Sequence, residues 1–227
     1  MSRSTAEVQN VTKALLKRQP KTLAEEMGIE IAANDPQSLF CLLTGALLLS
    51  ARIGHELAMK SARVLFERGW TTPRKLAKST WEQRVKALDE GGYVRYDERA
   101  STMLGETAQA VIEKYGGDLR NLRDASRIGR GHPDPARERK LLKEFKGIGE
   151  VGVDIFFREA QLVWPELYPF ADSKVFETAE EVGLPAEAPT LARLVRRKRD
   201  FIRLVDALIT VRLNHEEDQI RPLIAAA

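Results

Sequence analysis

Apolar residues recur along this chain at the three-to-four-residue period of helices, and no stretch alternates as a half-buried strand would. The pattern predicts an all-α protein. A first helix covers residues 1–19 and stops at Pro20. Asp35-Pro36 opens the next, with an N-cap side chain followed by proline at the first helical position. That helix runs to about Ser50 and is apolar on nearly every side, through Leu39, Phe40, Leu42, Leu43, Ala46, Leu47, Leu48 and Leu49. A helix hydrophobic all round belongs at the centre of a bundle.

Amphipathic helices over 55–68, 80–91 and 97–115 are expected around it. Thr80 and Gln83 have capping-box spacing, and glycines at 69, 91–92 and 116–117 act as stops. The stretch 116–135, rich in Gly, Arg and Asp, reads as a long surface connection. Further helices are expected over 136–145, 150–161, 173–182, 190–199 and 200–213, followed by a short polar tail. Two lobes follow: a bundle over 36–160, and a second lobe joining 1–35 to 161–227.

Composition narrows the class. With 227 residues, 43% hydrophobic and 30% charged, the chain resembles ordinary soluble globular proteins and can bury one large core or two modest ones. A net charge of +3 does not by itself call for a polyanion; clustering of the cations does. Arg193, Arg196, Arg197, Lys198, Arg199 and Arg203 put six cations in eleven residues, which reads either as a solvated helix face or as a positive patch. Cys41, the only cysteine, lies in an apolar run as a buried, inert thiol. One cysteine excludes an intramolecular disulfide and any thiolate-built zinc or iron–sulfur site within the chain. His55, His132 and His215 show no metal-ligand spacing, so no metal is expected, and there is no phosphate-binding P-loop. The first ten residues hold no apolar stretch suited to a signal peptide, and Leu39–Leu49 falls short of the roughly 20 residues that span a bilayer. The expectation is a cytoplasmic monomer without a membrane partner, nucleoid-associated in a bacterium.

The candidate chemistry starts at Phe145-Lys146-Gly147-Ile148-Gly149, which joins two helices through Gly-Ile-Gly. Glycines admit positive φ and close approach of a partner to the backbone. The helix beginning near Glu150 directs its first N–H groups and its positive dipole end out of the turn, where they can hold a phosphate. Ile148 anchors the turn from inside, while Arg137, Arg139, Lys140, Lys143 and Lys146 add positive charge. A plain glycine-rich turn between packed helices is the competing reading.

Residues 145–153, Phe-Lys-Gly-Ile-Gly-Glu-Val-Gly-Val, resemble the helix-hairpin-helix of the endonuclease III-type DNA glycosylases, Leu-Pro-Gly-(Val/Ile)-Gly-x-x-(Thr/Gly)-Ala. Leu48-Leu49-Ser50-Ala51-Arg52 is similar to that family's Leu-Leu-Ser-Ala-Gln helix end. Gly92-Tyr93-Val94-Arg95-Tyr96 with Arg99-Ala100 is similar to its Gly-(Leu/Tyr)-x-x-x-Lys-Ala turn. The three matches keep the family's order and cover residues 36–183. The resemblance implies a two-lobed helix-hairpin-helix fold, double-stranded DNA with a damaged or mispaired base as partner, and base excision. It implies DNA contacts by Lys146, Gly147, Ile148, Gly149, Glu150, Val151 and Lys174, with Arg52 and Tyr93 or Arg95 placed to enter the duplex.

Asp172, 23 residues after Gly149 in Phe170-Ala171-Asp172-Ser173-Lys174, sits where a helix starts, so N-capping is its ordinary role. The resemblance makes it the catalytic carboxylate, in the cleft between the lobes. Family members with lyase activity carry a lysine where this chain has Val151, and a valine cannot form a Schiff base. The motif is therefore closest to monofunctional thymine or uracil mismatch glycosylases, without lyase chemistry. The cysteine loop that holds an iron–sulfur cluster in many relatives has no counterpart here. No cofactor is expected, although hairpin carbonyls could take a monovalent cation. A non-catalytic DNA-binding protein on the same fold is the alternative.

Overall fold

The computed structural model describes residues 4–129 and 131–220; positions 1–3 of the first expected helix and the end of the polar tail lie outside them. Among the described residues every regular element is helical. In chain order these are α1 (Thr5–Arg18), α2 (Leu23–Glu26), α3 (Pro36–Leu49), α4 (His55–Glu67), α5 (Pro73–Ala77), α6 (Trp81–Gly91), α7 (Asp97–Tyr115), α8 (Leu119–Ala125), α9 (Pro135–Leu142), α10 (Glu150–Ala160), α11 (Ser173–Glu181), α12 (Ala188–Arg193), α13 (Lys198–Asn214) and α14 (Glu217–Ile220). The chain divides into two compact units, residues 24–167 and the segments up to Leu23 and from Tyr168 onward. Residues 24–35 and 161–167 thus lie in the larger unit, where Glu159 Oε2 accepts the Ala24 amide at 3.1 Å.

In the larger unit α3 is the axis. Asp35 caps it through the amides of Gln37 and Ser38, and eleven of its fourteen residues are buried, so it meets neighbours on all sides. It packs against α4 and α10, while α6 packs against α4 and α7. Each fully buried Leu or Phe contributes about 1.5–3 kcal/mol of transfer free energy, so α3 dominates this core. The Gly91-Gly92 stop has two jobs. Gly92 is left-handed (φ +91°) and ends α6, whereas Gly91 touches α4 so closely that a Cβ would lie 2.4 Å from Ser61 Cα.

The stretch 116–135 is more than a surface connection. Asp118 caps α8 through the Arg120 amide (2.9 Å), and Leu119 and Leu122, one helical step apart, are both fully buried. Two apolar positions among arginines and aspartates are too few to show a period in the sequence. The short α5, capped by Thr72 with Pro73 in its first turn, escaped for the same reason.

The smaller unit packs α1 and α11 on α13 around Val11, Leu15, Val175, Phe201, Val205 and Leu208. A capping box between Ser4 and Glu7 starts α1. The expected helices 190–199 and 200–213 are observed as α12 and α13, with the break at 194–197 inside the basic block. Arg203 donates to the carbonyls of Gln19 (2.8 Å) and Leu16 (2.5 Å), which the end of α1 leaves without helical donors. Arg203 and Arg197 also grip Asp200, at 3.0 and 2.8 Å. Arg203 therefore fastens α1 to α13 instead of facing solvent, while Arg193, Arg196, Arg197 and Lys198 stay exposed.

α9, which leads into the hairpin, is fixed by a buried acid pair. Glu138 is fully buried, and Glu166 is held by Arg123 through Nε–Oε1 (2.5 Å) and Nη2–Oε2 (2.7 Å). Burial, and then the adjoining Glu166 carboxylate, push the Glu138 carboxyl up to about 8, with Arg123 and Ser126 opposing. Glu166 is held below the usual carboxylate range; burial opposes this and Arg123 overcomes it. Glu138 thus keeps its proton in the folded state while an unfolded chain loses it near the ordinary 4.5. Its contribution is complete below that value and is lost as pH rises toward 8, at up to about 1.4 kcal/mol per pH unit. Glu166, with its lowered value, acts only at the acid end. Glu138→Gln, which keeps a donor toward Glu166 without a proton to lose, is expected to flatten the decline of stability between mildly acidic and mildly alkaline pH. Urea unfolding across that range checks this; equal slopes for both proteins would refute it.

Candidate nucleic-acid interface

The hairpin forms as its residue types require. Phe145 and Ile148 are buried, while Lys146, Gly147, Gly149, Glu150 and Val151 are exposed at its tip. Gly147 is left-handed (φ +90°), and a Cβ there would lie 2.7 Å from Met103 Sδ, so the position excludes side chains on two grounds. Gly149 caps α10 with its backbone extended, and no side chain caps that end. The Lys146 carbonyl accepts from Thr107 Oγ1 at 3.3 Å. The Ile148 side chain is buried and its amide donates to the Phe145 carbonyl (3.0 Å), so it anchors the turn.

Three segments far apart in sequence meet beside this tip. A recess of about 410 Å³ is walled by Ala51 and Arg52 after α3, Tyr93, Tyr96 and Arg99 around the start of α7, and Gly147 of the hairpin, with Met103 behind. That volume is in the range of small-ligand sites. The Tyr93 ring is buried, and its hydroxyl donates to the Leu48 carbonyl at 2.9 Å. Burial pushes its phenol well above the ordinary value, so it remains a donor. Tyr93 therefore fastens the Gly92 turn to the end of α3. Val94 beside it is 63% exposed, an apolar side chain at a polar surface. Arg95 is exposed and lies over the Tyr96 ring at 5.3 Å. Among the described residues Arg52, Arg95 and Arg99 form no ion pair.

The cations of α9 and the hairpin are less available than their number suggests. Arg139 pairs with Glu150 (2.9 Å) and Asp154 (2.7 Å), Lys143 also holds Glu150, and Lys146 lies 3.3 Å from Glu106. Arg137 donates to the Arg127 carbonyl at 3.2 Å. Val151, exposed on the first turn of α10, occupies the lysine position of the motif.

In the other unit Asp172 is buried and caps α11, accepting the Lys174 amide on Oδ1 at 3.0 Å. Lys174 itself is exposed. The amide bond fixes the direction of the carboxylate relative to the helix. Cys41 is buried, and burial lifts its thiol to about 12, far from nucleophilic chemistry. Burial, then Arg158, lowers His55 below its usual value, which favours the neutral imidazole. Among the described residues no group of three His, Cys, Asp or Glu side chains could hold a metal ion, and no helix is long and apolar enough to cross a membrane.

Gly147→Ala is expected to cost about 1–3 kcal/mol, from left-handed strain and the Met103 contact together. Denaturant unfolding measures it, and an unchanged midpoint would show that the turn relaxes without cost.

No protein-family model matches the sequence, and no curated protein matches it. A solved structure of endonuclease III trapped as a covalent intermediate on DNA, an estranged-adenine complex, is similar over 92% of this chain and 85% of that chain. The TM-score is 0.51 at 17% identity. The shared feature is the arrangement of the backbone, and the chain accordingly has the all-helical fold of endonuclease III.

Proposed function

We propose that this chain is a monofunctional DNA glycosylase, acting on double-stranded DNA with a damaged or mispaired base and using Asp172 as its catalytic carboxylate. The observation that carries the reading is the meeting of Arg52, the 93–99 turn and Gly147 at one recess, in a fold shared with an enzyme trapped on DNA. Such an assembly offers what extraction of a base requires. Amides and the positive end of α10 receive a phosphate and set register without reading sequence. Arg52, Arg95 and Arg99 add cations at the recess, and Val94 supplies an apolar wedge for the gap a flipped base leaves.

At the flipped nucleotide, cleavage of the N-glycosidic bond builds positive charge on the deoxyribose. The Asp172 carboxylate, directed by the Lys174 amide, stabilises that charge and orients the attacking water. The water oxygen joins the sugar carbon, the water proton passes through the carboxylate, and the base leaves with the bonding electrons and a proton. Val151 provides no amine for a sugar Schiff base, so the strand stays intact at an abasic site.

End-labelled duplexes, each with one modified or mismatched base, test this directly with wild type and Asp172→Asn. Strand breaks that appear only after hot alkali and fall at least about a hundredfold in the variant are expected. Breaks without alkali would overturn the monofunctional assignment and turn attention to Lys146 and Lys174. DNA binding with no base released from any duplex would favour a non-catalytic reader.

A further inference from the structure

The basic flank of the hairpin is already occupied by an anion of the chain's own. Glu150, the first residue of α10, accepts from Arg139 Nη1 at 2.9 Å on one carboxylate oxygen and from Lys143 Nζ on the other. It stands at a helix N-terminus that no side chain caps, where the helix dipole favours negative charge. Amide donors, a dipole end and two cations are what a phosphodiester would use on the same surface. The carboxylate is 59% exposed and Lys143 43% exposed, so water reaches the pair and exchange of its anion is cheap. Arg139 is better anchored: Asp154 holds its other nitrogen at 2.7 Å, and its guanidinium lies 5.1 Å over the Phe157 ring.

We propose that Glu150 is a built-in competitor for DNA phosphate, holding Arg139 and Lys143 away from the backbone of the duplex; this rests on the DNA-binding reading above. The electrostatic argument is one of counting. A cation held by a carboxylate must give up that partner before it can neutralise a phosphate, whereas a free cation need not, and each neutralised phosphate releases counterions condensed on the DNA, which drives salt-dependent affinity. With Glu150 in place the hairpin binds chiefly through amides and the recess arginines, and the complex remains easy to leave. Without it, Lys143 becomes a further phosphate contact, and Arg139, still held by Asp154, offers only the nitrogen that Glu150 occupied.

The test is equilibrium binding of the full chain to a labelled duplex carrying a non-cleavable abasic-site analogue, with an undamaged duplex in parallel. Wild type, Glu150→Gln, Lys143→Ala and the double variant are compared from about 50 to about 200 mM salt. Glu150→Gln is expected to tighten binding at low salt and to steepen the slope of log affinity against log salt by about 0.9, one contact's worth. Lys143→Ala should change wild-type binding by less than about twofold, yet weaken the Glu150→Gln protein by about fivefold or more. Glu144→Gln, which removes the same charge from a residue paired with Lys114, should leave the slope unchanged. Equal effects of Lys143→Ala in both backgrounds, or an unchanged slope in Glu150→Gln, would overturn the competitor role and leave DNA binding standing. Salt-insensitive or absent binding in every variant would overturn the DNA-binding reading and this inference together.

Discussion

The larger unit depends on the burial of α3. A helix apolar on every side is stable only with neighbours on every side, and α4 and α10 supply two of them. That requirement places the recess. The second helix of the hairpin lies against α3, so Gly147 is fixed near its C-terminal end. The last turn of α3 leaves carbonyls without helical donors, and the Tyr93 hydroxyl takes the one on Leu48. Arg52 follows directly after the same helix end. One buried helix therefore sets the position of all three segments that wall the recess.

Several cations near the hairpin and on α13 are matched within the chain. Arg139, Lys143 and Lys146 face Glu150, Asp154 and Glu106, while Arg197 and Arg203 hold Asp200. Arg203 in addition serves the end of α1. Around the recess this leaves backbone amides of the hairpin and Arg52, Arg95 and Arg99 without ion pairs. Under the proposed function, such a surface would position a duplex more than cling to it. The acid pair at Glu138 and Glu166 belongs to the same economy, since it ties α9 to α8 and to the segment after α10 with buried polar groups.

Local chemistry was legible where it is local. Asp35-Pro36, the Thr80–Gln83 capping box and the glycine stops all act within one helical turn, and α3 begins, α6 begins and ends, and α7 ends where those residues demand. The hairpin and the capping position of Asp172 were equally readable, because each is a property of a few consecutive residues. Short helices were harder. In α8 the two buried leucines are surrounded by charge, and only contact with the rest of the unit makes that helix worthwhile.

The sequence by itself determined the helical class, the order of the elements, the turn at Gly147 and the absence of an amine at Val151, since these follow from backbone preference and side-chain identity. The tertiary structure alone decided which of those side chains remain available. Tyr93 and Ile148, both placed at the DNA by motif, are taken by the core, and Gly91 is a helix contact before it is a stop. Arg139, Lys143 and Lys146 at the hairpin are matched to carboxylates that lie next to them only after folding. The reason is one of range: periodicity and caps act over four residues, whereas burial, ion pairing and the meeting of residues 52, 99 and 147 depend on contacts that no local pattern encodes.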